Sequence, residues 1–392
     1  MSKIPSYTFS FNGNASEYFH ICVVNWLLTL ITFGIYRPWA KVRTLRYLYA
    51  NIGIGEHAFD YHATGKQLFL SYLIGAGLLL AYVCVAVVFP IGELIAIALI
   101  FISAPWVIMR SIKFNASVTS FSNVRFRFQG GYMQAFIAYL LIPFGYVVVP
   151  ATMFAIYSWD ALDLQAWHIT CMIVLSVISM IVVWSYFTYY STLYVINHYA
   201  FGQERFTAKL SKGFYLGVYM KYFVFYVFLL LLVSSLLGLF VFVDLGYEQW
   251  VLIKNSLFQG DIIGMMKYLT PSYFILFYVA LVAIPYVLHA YLYTATRTYL
   301  YAQCLLGDEV TFTSRLPFLT FAKILFTNVI LLVVTLGLAY PWVQIRTLQC
   351  ILTHTDLHGL DINKYISEAV EKQSALGYEL GEAFDVDVNL GI

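Results

Sequence analysis

The sequence predicts an all-α integral membrane protein: six long transmembrane helices, two short terminal hydrophobic segments that are broken or re-entrant, internal repeats, and short cytoplasmic β-strands. Three observations predict it. Of 392 residues, 61% are hydrophobic and only 11% charged, with mean hydropathy +0.78; a soluble domain carries about 25% charged residues. Segments 68–91, 94–109, 132–157, 166–196, 214–243 and 273–300 approach or exceed the ~20 apolar residues that cross the hydrocarbon core. The loops between them alternate in charge. Arg37, Lys41, Arg43, Arg46 and Lys66 lie in 37–66; Arg110, Lys113, Arg125 and Arg127 in 110–131; Arg205, Lys209 and Lys212 in 197–213. The intervening connections 90–93 and 158–165 hold Glu93, Asp160 and Asp163 and no Lys or Arg. The positive-inside rule places the basic loops in the cytoplasm. The polar N-terminus lacks a signal-peptide cleavage pattern, so the whole chain is expected to be retained.

Aromatic residues alternate before glycine in "FSFNG" (Phe9, Phe11), "FDYHATG" (Phe59, Tyr61) and "RFRFQGG" (Phe126, Phe128), with weaker forms in "GQERFTAKL" and "GDEVTFTSRL". Period-two alternation ending in glycine predicts a short strand and a turn. Arg43 precedes Phe59 by the same spacing as Arg110 precedes Phe126, and each arginine follows a Pro-Trp pair, Pro38-Trp39 or Pro105-Trp106. The chain therefore reads as internal repeats: strand, hydrophobic insertion, Pro-Trp-x-x-x-Arg exit, next strand. In the middle the Pro-Trp position reads Ser185-Tyr186.

One phrase is written twice, as "TFGIYRPWAKVRTL" over 32–45 and "TLGLAYPWVQIRTL" over 335–348. Gly34 and Gly337 permit a sharp break. Pro38 and Pro341 suit the first turn of a new helix, Trp39 and Trp342 the headgroup level, and Arg43 and Arg346 a snorkelling position. Asn25 and Asn328 precede Thr32 and Thr335 by equal spacing. The two short segments, 18–37 and 318–340, pose a parity problem. Their length permits crossing, whereas the repeat needs them to dip in and return so that related strands share a side. Both remain open from sequence. The phrase reads either as a membrane-exit anchor or as the frame of a pore or lipid cleft. The candidate contacts are Asn25, Thr32, Gly34, Pro38, Trp39, Arg43, Trp106, Arg110, Arg297, Asn328, Thr335, Gly337, Pro341, Trp342 and Arg346. For Arg43 the expectation leans to an inward guanidinium holding the carbonyls of the break or an anionic headgroup by bidentate bonds.

The chain contains no HExxH, GxSxG, P-loop or Rossmann glycine pattern. Cys22, Cys84, Cys171, Cys304 and Cys350 are dispersed in or beside apolar segments and read as packing residues. His354 and His358 flank Asp356 in "THTDLHG", which reads as a loop. No carboxylate lies well inside a predicted span, which lowers the rank of proton-coupled transport. Neither an enzyme nor a cofactor or metal is expected, and a net charge of +2 gives no reason to expect nucleic acid. The expected partners are membrane lipids with anionic headgroups at the cytoplasmic face, and a protein partner or a second copy of the chain. Residues 1–366 read as one membrane domain and 367–392 as an acidic, disordered tail.

The run "YFHICVVNWLLTLITFGIYRPWAKVRTLRYLYANI", the preceding "FSFNG" and the later "TLGLAYPW" resemble the YjgN family. That resemblance implies a multi-pass protein of the bacterial inner membrane and brings no catalytic residues. The expected activity is a channel or facilitator for a small solute or lipid. The alternative is a non-catalytic scaffold or accessory subunit.

Overall fold

The computed structural model describes residues 6–88, 90–157, 166–258, 271–307 and 309–359. The expected tail 367–392 lies outside them, as does the acidic connection 158–165. The order strand, helix, helix, strand occurs five times. The first unit is β1 (Ser6–Phe11), α1 (Ala15–Ile31), α2 (Arg37–Ala50) and β2 (Ile52–Ile54). The second is β3 (His57–Tyr61), α3 (Gly65–Val88), α4 (Pro90–Ser117) and β4 (Thr119–Phe121). In the third, β5 (Val124–Phe128) leads into α5 (Tyr132–Phe136), a π-helical turn (Ile137–Leu141) and α6 (Ile142–Tyr157), then α7 (Ala166–His198) and β6 (Tyr199–Phe201). The fourth is β7 (Glu204–Ala208), α8 (Lys212–Phe258, broken at Gly246), α9 (Pro271–Gln303) and β8 (Cys304–Leu306). The fifth is β9 (Val310–Ser314), α10 (Phe318–Val334), α11 (Tyr340–Thr353) and β10 (Thr355–His358).

The all-α class is corrected by the strands. All ten pair antiparallel into one closed barrel, in the order β1-β10-β9-β8-β7-β6-β5-β4-β3-β2. Each long strand pairs with two short ones, so the sheet is assembled across units and has no free edge. The register repeats: Phe9 faces Ile54, Phe59 faces Phe121, Phe126 faces Phe201, Phe206 faces Leu306 and Phe312 faces Leu357. "THTDLHG" is thus not a loop. His358 bonds Thr313 and Asp356 bonds Thr8 across the β9–β10 and β1–β10 ladders.

Among the described residues, six helical stretches are long and apolar enough to cross a membrane: Gly65–Val87, Gly92–Ser117, Tyr132–Ile156, Thr170–His198, Lys212–Ser256 and Ile275–Gln303. They match the six segments read from sequence. Packing runs between neighbours around a ring, which α1 closes against α11.

The two short segments turn back. β1 precedes α1 and β2 follows α2, yet Phe9, Ser10 and Phe11 pair with Ile54, Gly53 and Ile52. Both ends of this hairpin therefore lie at the sheet, and β9 and β10 show the same for α10–α11. The arms of 17 residues rise about 25 Å from the sheet, which carries the tips past the level where α3 begins, since Trp39 near one tip packs on Phe69. Phe33 and Leu336 at the tips are 97% and 92% exposed. A backbone break surrounded by lipid must satisfy its own polar groups. Thr32 Oγ1 donates to Leu28 O at 2.7 Å and accepts from Tyr36 N at 3.0 Å; Thr335 Oγ1 does the same with Leu331 O at 2.6 Å and Ala339 N at 3.0 Å. The amides of Gly34 and Gly337, at φ +90° and +87°, reach back to Thr29 O and Leu332 O, each at 2.8 Å. Pro38 and Pro341 then begin the return helices, where a missing N–H costs nothing.

Two outcomes follow. Cysteines placed singly at Asn12 and Glu56, in a chain otherwise free of cysteine, should react with an impermeant maleimide from the same side; reaction from opposite sides would mean that α1–α2 crosses. Thr335→Val should destabilise the chain by about 1–3 kcal/mol, the cost of an unmet buried hydrogen bond, in detergent melts, whereas Thr335→Ser should melt like the parent.

Candidate functional site

The doubled phrase builds two matched hairpins. They are neighbours in the ring. Tyr18 of α1 donates to Gln344 Oε1 of α11 at 2.6 Å, and the Phe19 and Trp342 rings lie 4.6 Å apart. Within each hairpin a buried asparagine ties the arms together. Asn25 Nδ2 donates to Ala40 O at 3.2 Å and Thr44 Oγ1 at 3.3 Å; Asn328 Nδ2 donates to Thr347 Oγ1 at 2.9 Å. The Oδ1 of each is buried without a hydrogen-bond partner. Pro38, Pro105 and Pro341 are fully buried, and so is Ser185, where the Pro-Trp pair is lost.

The arginines face outward. Arg43 is exposed, so the inward arrangement expected of it is not the one it adopts. Arg346 is exposed and reaches Thr327 Oγ1 at 2.9 Å. Arg110 lies over the exposed Trp106 ring at 5.3 Å. Arg297 differs. Half-buried near the end of α9, it donates to Ser314 Oγ at 3.2 Å and Thr355 Oγ1 at 2.9 Å, and sits 4.2 Å over the Tyr301 ring. It pins α9 to β9 and β10 and fixes Tyr301.

Tyr301 lines a 450 Å³ chamber where the helix ends meet the barrel. Strand alternation points one phenylalanine of each long strand into it: Phe9, Phe59, Phe126, Phe206 and Phe312. Their register partners Ile54, Phe121, Phe201, Leu306 and Leu357 are buried, and with Val124 and Val310 they fill the barrel. The phenylalanines themselves stay half-buried because one face borders the chamber. Phe59 stacks on Phe126 at 6.3 Å and Phe206 lies 6.0 Å from Phe312. Above them the wall comes from helix ends, with Tyr49, Ala116 and Ile196 joining Tyr301, and from the first residues of short strands, Thr119, Tyr199 and Cys304.

The chamber wall carries no ionised group at neutral pH. Burial pushes the Tyr49 and Tyr199 phenols above their ordinary range and the Cys304 thiol up to about 11. The sequence showed three of the five phenylalanines as alternating aromatics, but not that they converge. It missed Tyr49, Thr119 and Tyr199, and read Cys304 only as a packing residue. The available signal was a phenylalanine at one fixed place in every long strand.

Replacing Arg297 with Lys should cost about 2 kcal/mol, since one ammonium cannot hold two hydroxyls while stacking on Tyr301; a detergent melt unchanged from the parent would contradict this role. With Cys304 as the sole cysteine, alkylation should be slow at pH 7 and accelerate roughly tenfold per pH unit up to its raised pKa, because only the thiolate reacts. A rate that levels off near pH 9, the ordinary thiol value, would show that burial does not hold this thiol protonated.

A family described as "Bacterial protein of unknown function (DUF898)" matches residues 6–383. The Inner membrane protein YjgN of Salmonella typhimurium is 27% identical over 369 residues, covering 90% of this chain and 89% of that protein. The Inner membrane protein YjgN of Escherichia coli O157:H7 is 31% identical over 221 residues, 54% of each chain, and that of Escherichia coli K12 is 37% identical over 126 residues, 32% of each. No solved structure matches. With six helices long enough to span, and a match across nearly its whole length, this chain belongs to the YjgN family of bacterial inner-membrane proteins, whose function is unknown.

Proposed function

We propose that this protein is a non-catalytic facilitator for an apolar molecule, with a lipid acyl chain as the ligand class, and that the molecule enters the aromatic chamber from the membrane side. One observation carries the reading: the chamber is uncharged, ringed by five phenylalanines, and closed on the sheet side by a packed barrel. Its 450 Å³ falls in the range of small-molecule sites, about 300–1,000 Å³. An ion would trade its hydration there for one amide and a few hydroxyls, with no charged partner, so the reading is not an aqueous channel. The basic loops support a cytoplasmic sheet and, with it, a chamber at the level of the inner leaflet. The shared register and the buried positions 38, 105, 185 and 341 support descent of the five units from one internal repeat.

The packed barrel favours a second reading, a scaffold that carries nothing. A fluorescent fatty acid separates the two. The purified protein should bind it saturably, and Thr119→Trp, which fills the chamber from its wall, should weaken binding at least tenfold with little change in melting. Absence of saturable binding, or binding indifferent to Thr119→Trp, would leave the scaffold.

A further inference from the structure

Two grooves on the outside of the ring share a chemistry that the chamber does not have. The first lies between α1 and α11, has a volume of 670 Å³, and runs from Leu331 and Leu338 past Phe19 and Trp342 to Arg346. The second, of 550 Å³, lies between α2 and α3 and runs from Tyr36 past Trp39 to Arg43 and Arg46. In each, the Trp and the Arg are one helical turn apart and share a face. Each Trp packs on the first turns of the adjacent helix: Trp342 on Phe19 at 4.6 Å and Trp39 on Phe69 at 5.3 Å. Gly65 permits the second contact, because a Cβ there would collide with the Trp39 ring.

The polarity of each groove is ordered along its length. The apolar end leads toward the lipid-exposed hairpin tip, where Leu30, Ile31, Val333 and Val334 are 70–76%, or for Val333 68%, exposed. The cationic end lies toward the sheet, and among the described residues no carboxylate lines either groove, Glu17 standing behind Tyr47, whose hydroxyl donates to it at 3.1 Å. Arg46 spends Nη2 on Ala63 O at 3.2 Å and Nε on Tyr61 O at 3.4 Å. Arg43 is exposed beside it, and Arg346 commits Nη1 to Thr327. A guanidinium at the interface matches a phosphodiester, with two donors for two oxygens, while the tryptophan seats the glycerol region and the apolar end takes an acyl chain.

We infer that these grooves are binding sites for an anionic phospholipid of the cytoplasmic leaflet, its phosphate on Arg43 or Arg346 and its chain running toward the hairpin tip. The sites account for the doubled phrase: it specifies a turn that reaches into the bilayer and a Trp–Arg clasp at the surface of the same helix. They are separate from the chamber and stand whether or not the chamber takes a ligand.

The test is native mass spectrometry of the detergent-purified full chain with phosphatidylglycerol or phosphatidylcholine added, paired with melting curves. The wild type should retain phosphatidylglycerol in preference to phosphatidylcholine and gain melting temperature from it, as a ligand of the folded state does. In Arg43→Gln/Arg346→Gln, phosphatidylglycerol retention should fall at least tenfold while phosphatidylcholine retention and the lipid-free melt hold. Inorganic phosphate at millimolar concentration should not displace the lipid; displacement would show a bare anion site and overturn the phospholipid assignment. Equal retention of the two lipids by the wild type would overturn it without any variant. So would a double variant that still folds and binds phosphatidylglycerol normally. Thr119→Trp should leave this retention untouched, so failure of the chamber reading is seen separately.

Discussion

The backbone ladder of the barrel is the constraint on which the rest of the structure depends. A strand edge has unpaired N–H and C=O groups and cannot lie in hydrocarbon. Because all ten strands belong to one closed ring, every inserted segment must come back to the side it left. Four-helix-turn lengths are not enough for two crossings, so the first and last units fold as hairpins inside the membrane. That in turn requires a break whose backbone is satisfied locally. Thr32 and Thr335 supply both a donor and an acceptor to it, and Gly34 and Gly337 take the left-handed conformation at its apex. The asparagines 25 and 328 hold the arms together at depth, where each polar bond has no water to compete with it.

Much of this was legible in the sequence. Hydropathy locates six spans because a run of ~20 apolar residues is a strong signal, and alternation locates Phe9, Phe59 and Phe126 on strands. The short strands were not legible. Ile52–Ile54 and Cys304–Leu306 have three residues each, too few to show a period, and each pairs with a strand tens of residues upstream in its own unit and with the first strand of the next. Without those partners the strands look like linkers and the protein looks all-helical. Parity was undecidable for the same reason: an apolar segment of this length can cross or return, and only β1 against β2 decides it. The chamber was hidden because Tyr49, Thr119, Tyr199 and Cys304 come from different units and are singly unremarkable in composition.

The places where the units differ show what the joints between them require. In three units the exit helix carries Trp and Arg one turn apart: Trp39 and Arg43, Trp106 and Arg110, Trp342 and Arg346. In the third unit those positions are Tyr186 and Tyr190, and the cation is missing from the helix. It is supplied instead by the next unit. Lys212, the first residue of α8, places its ammonium 5.9 Å from the Tyr186 and Tyr189 rings and 5.2 Å from Tyr190. In the fourth unit the aromatic is Tyr291, which meets Phe318 of α10 at 6.4 Å, and the arginine has moved to Arg297, where it turns toward the sheet. An aromatic ring at this place in each exit helix, Trp39, Trp106, Tyr186, Tyr291 or Trp342, is therefore the common element. Where the cation stands outside, as at Arg43 and Arg346, the joint is open to a lipid headgroup. Where it is drawn over rings or onto strand hydroxyls, as at Lys212 and Arg297, the same attraction closes the joint and serves the ring itself.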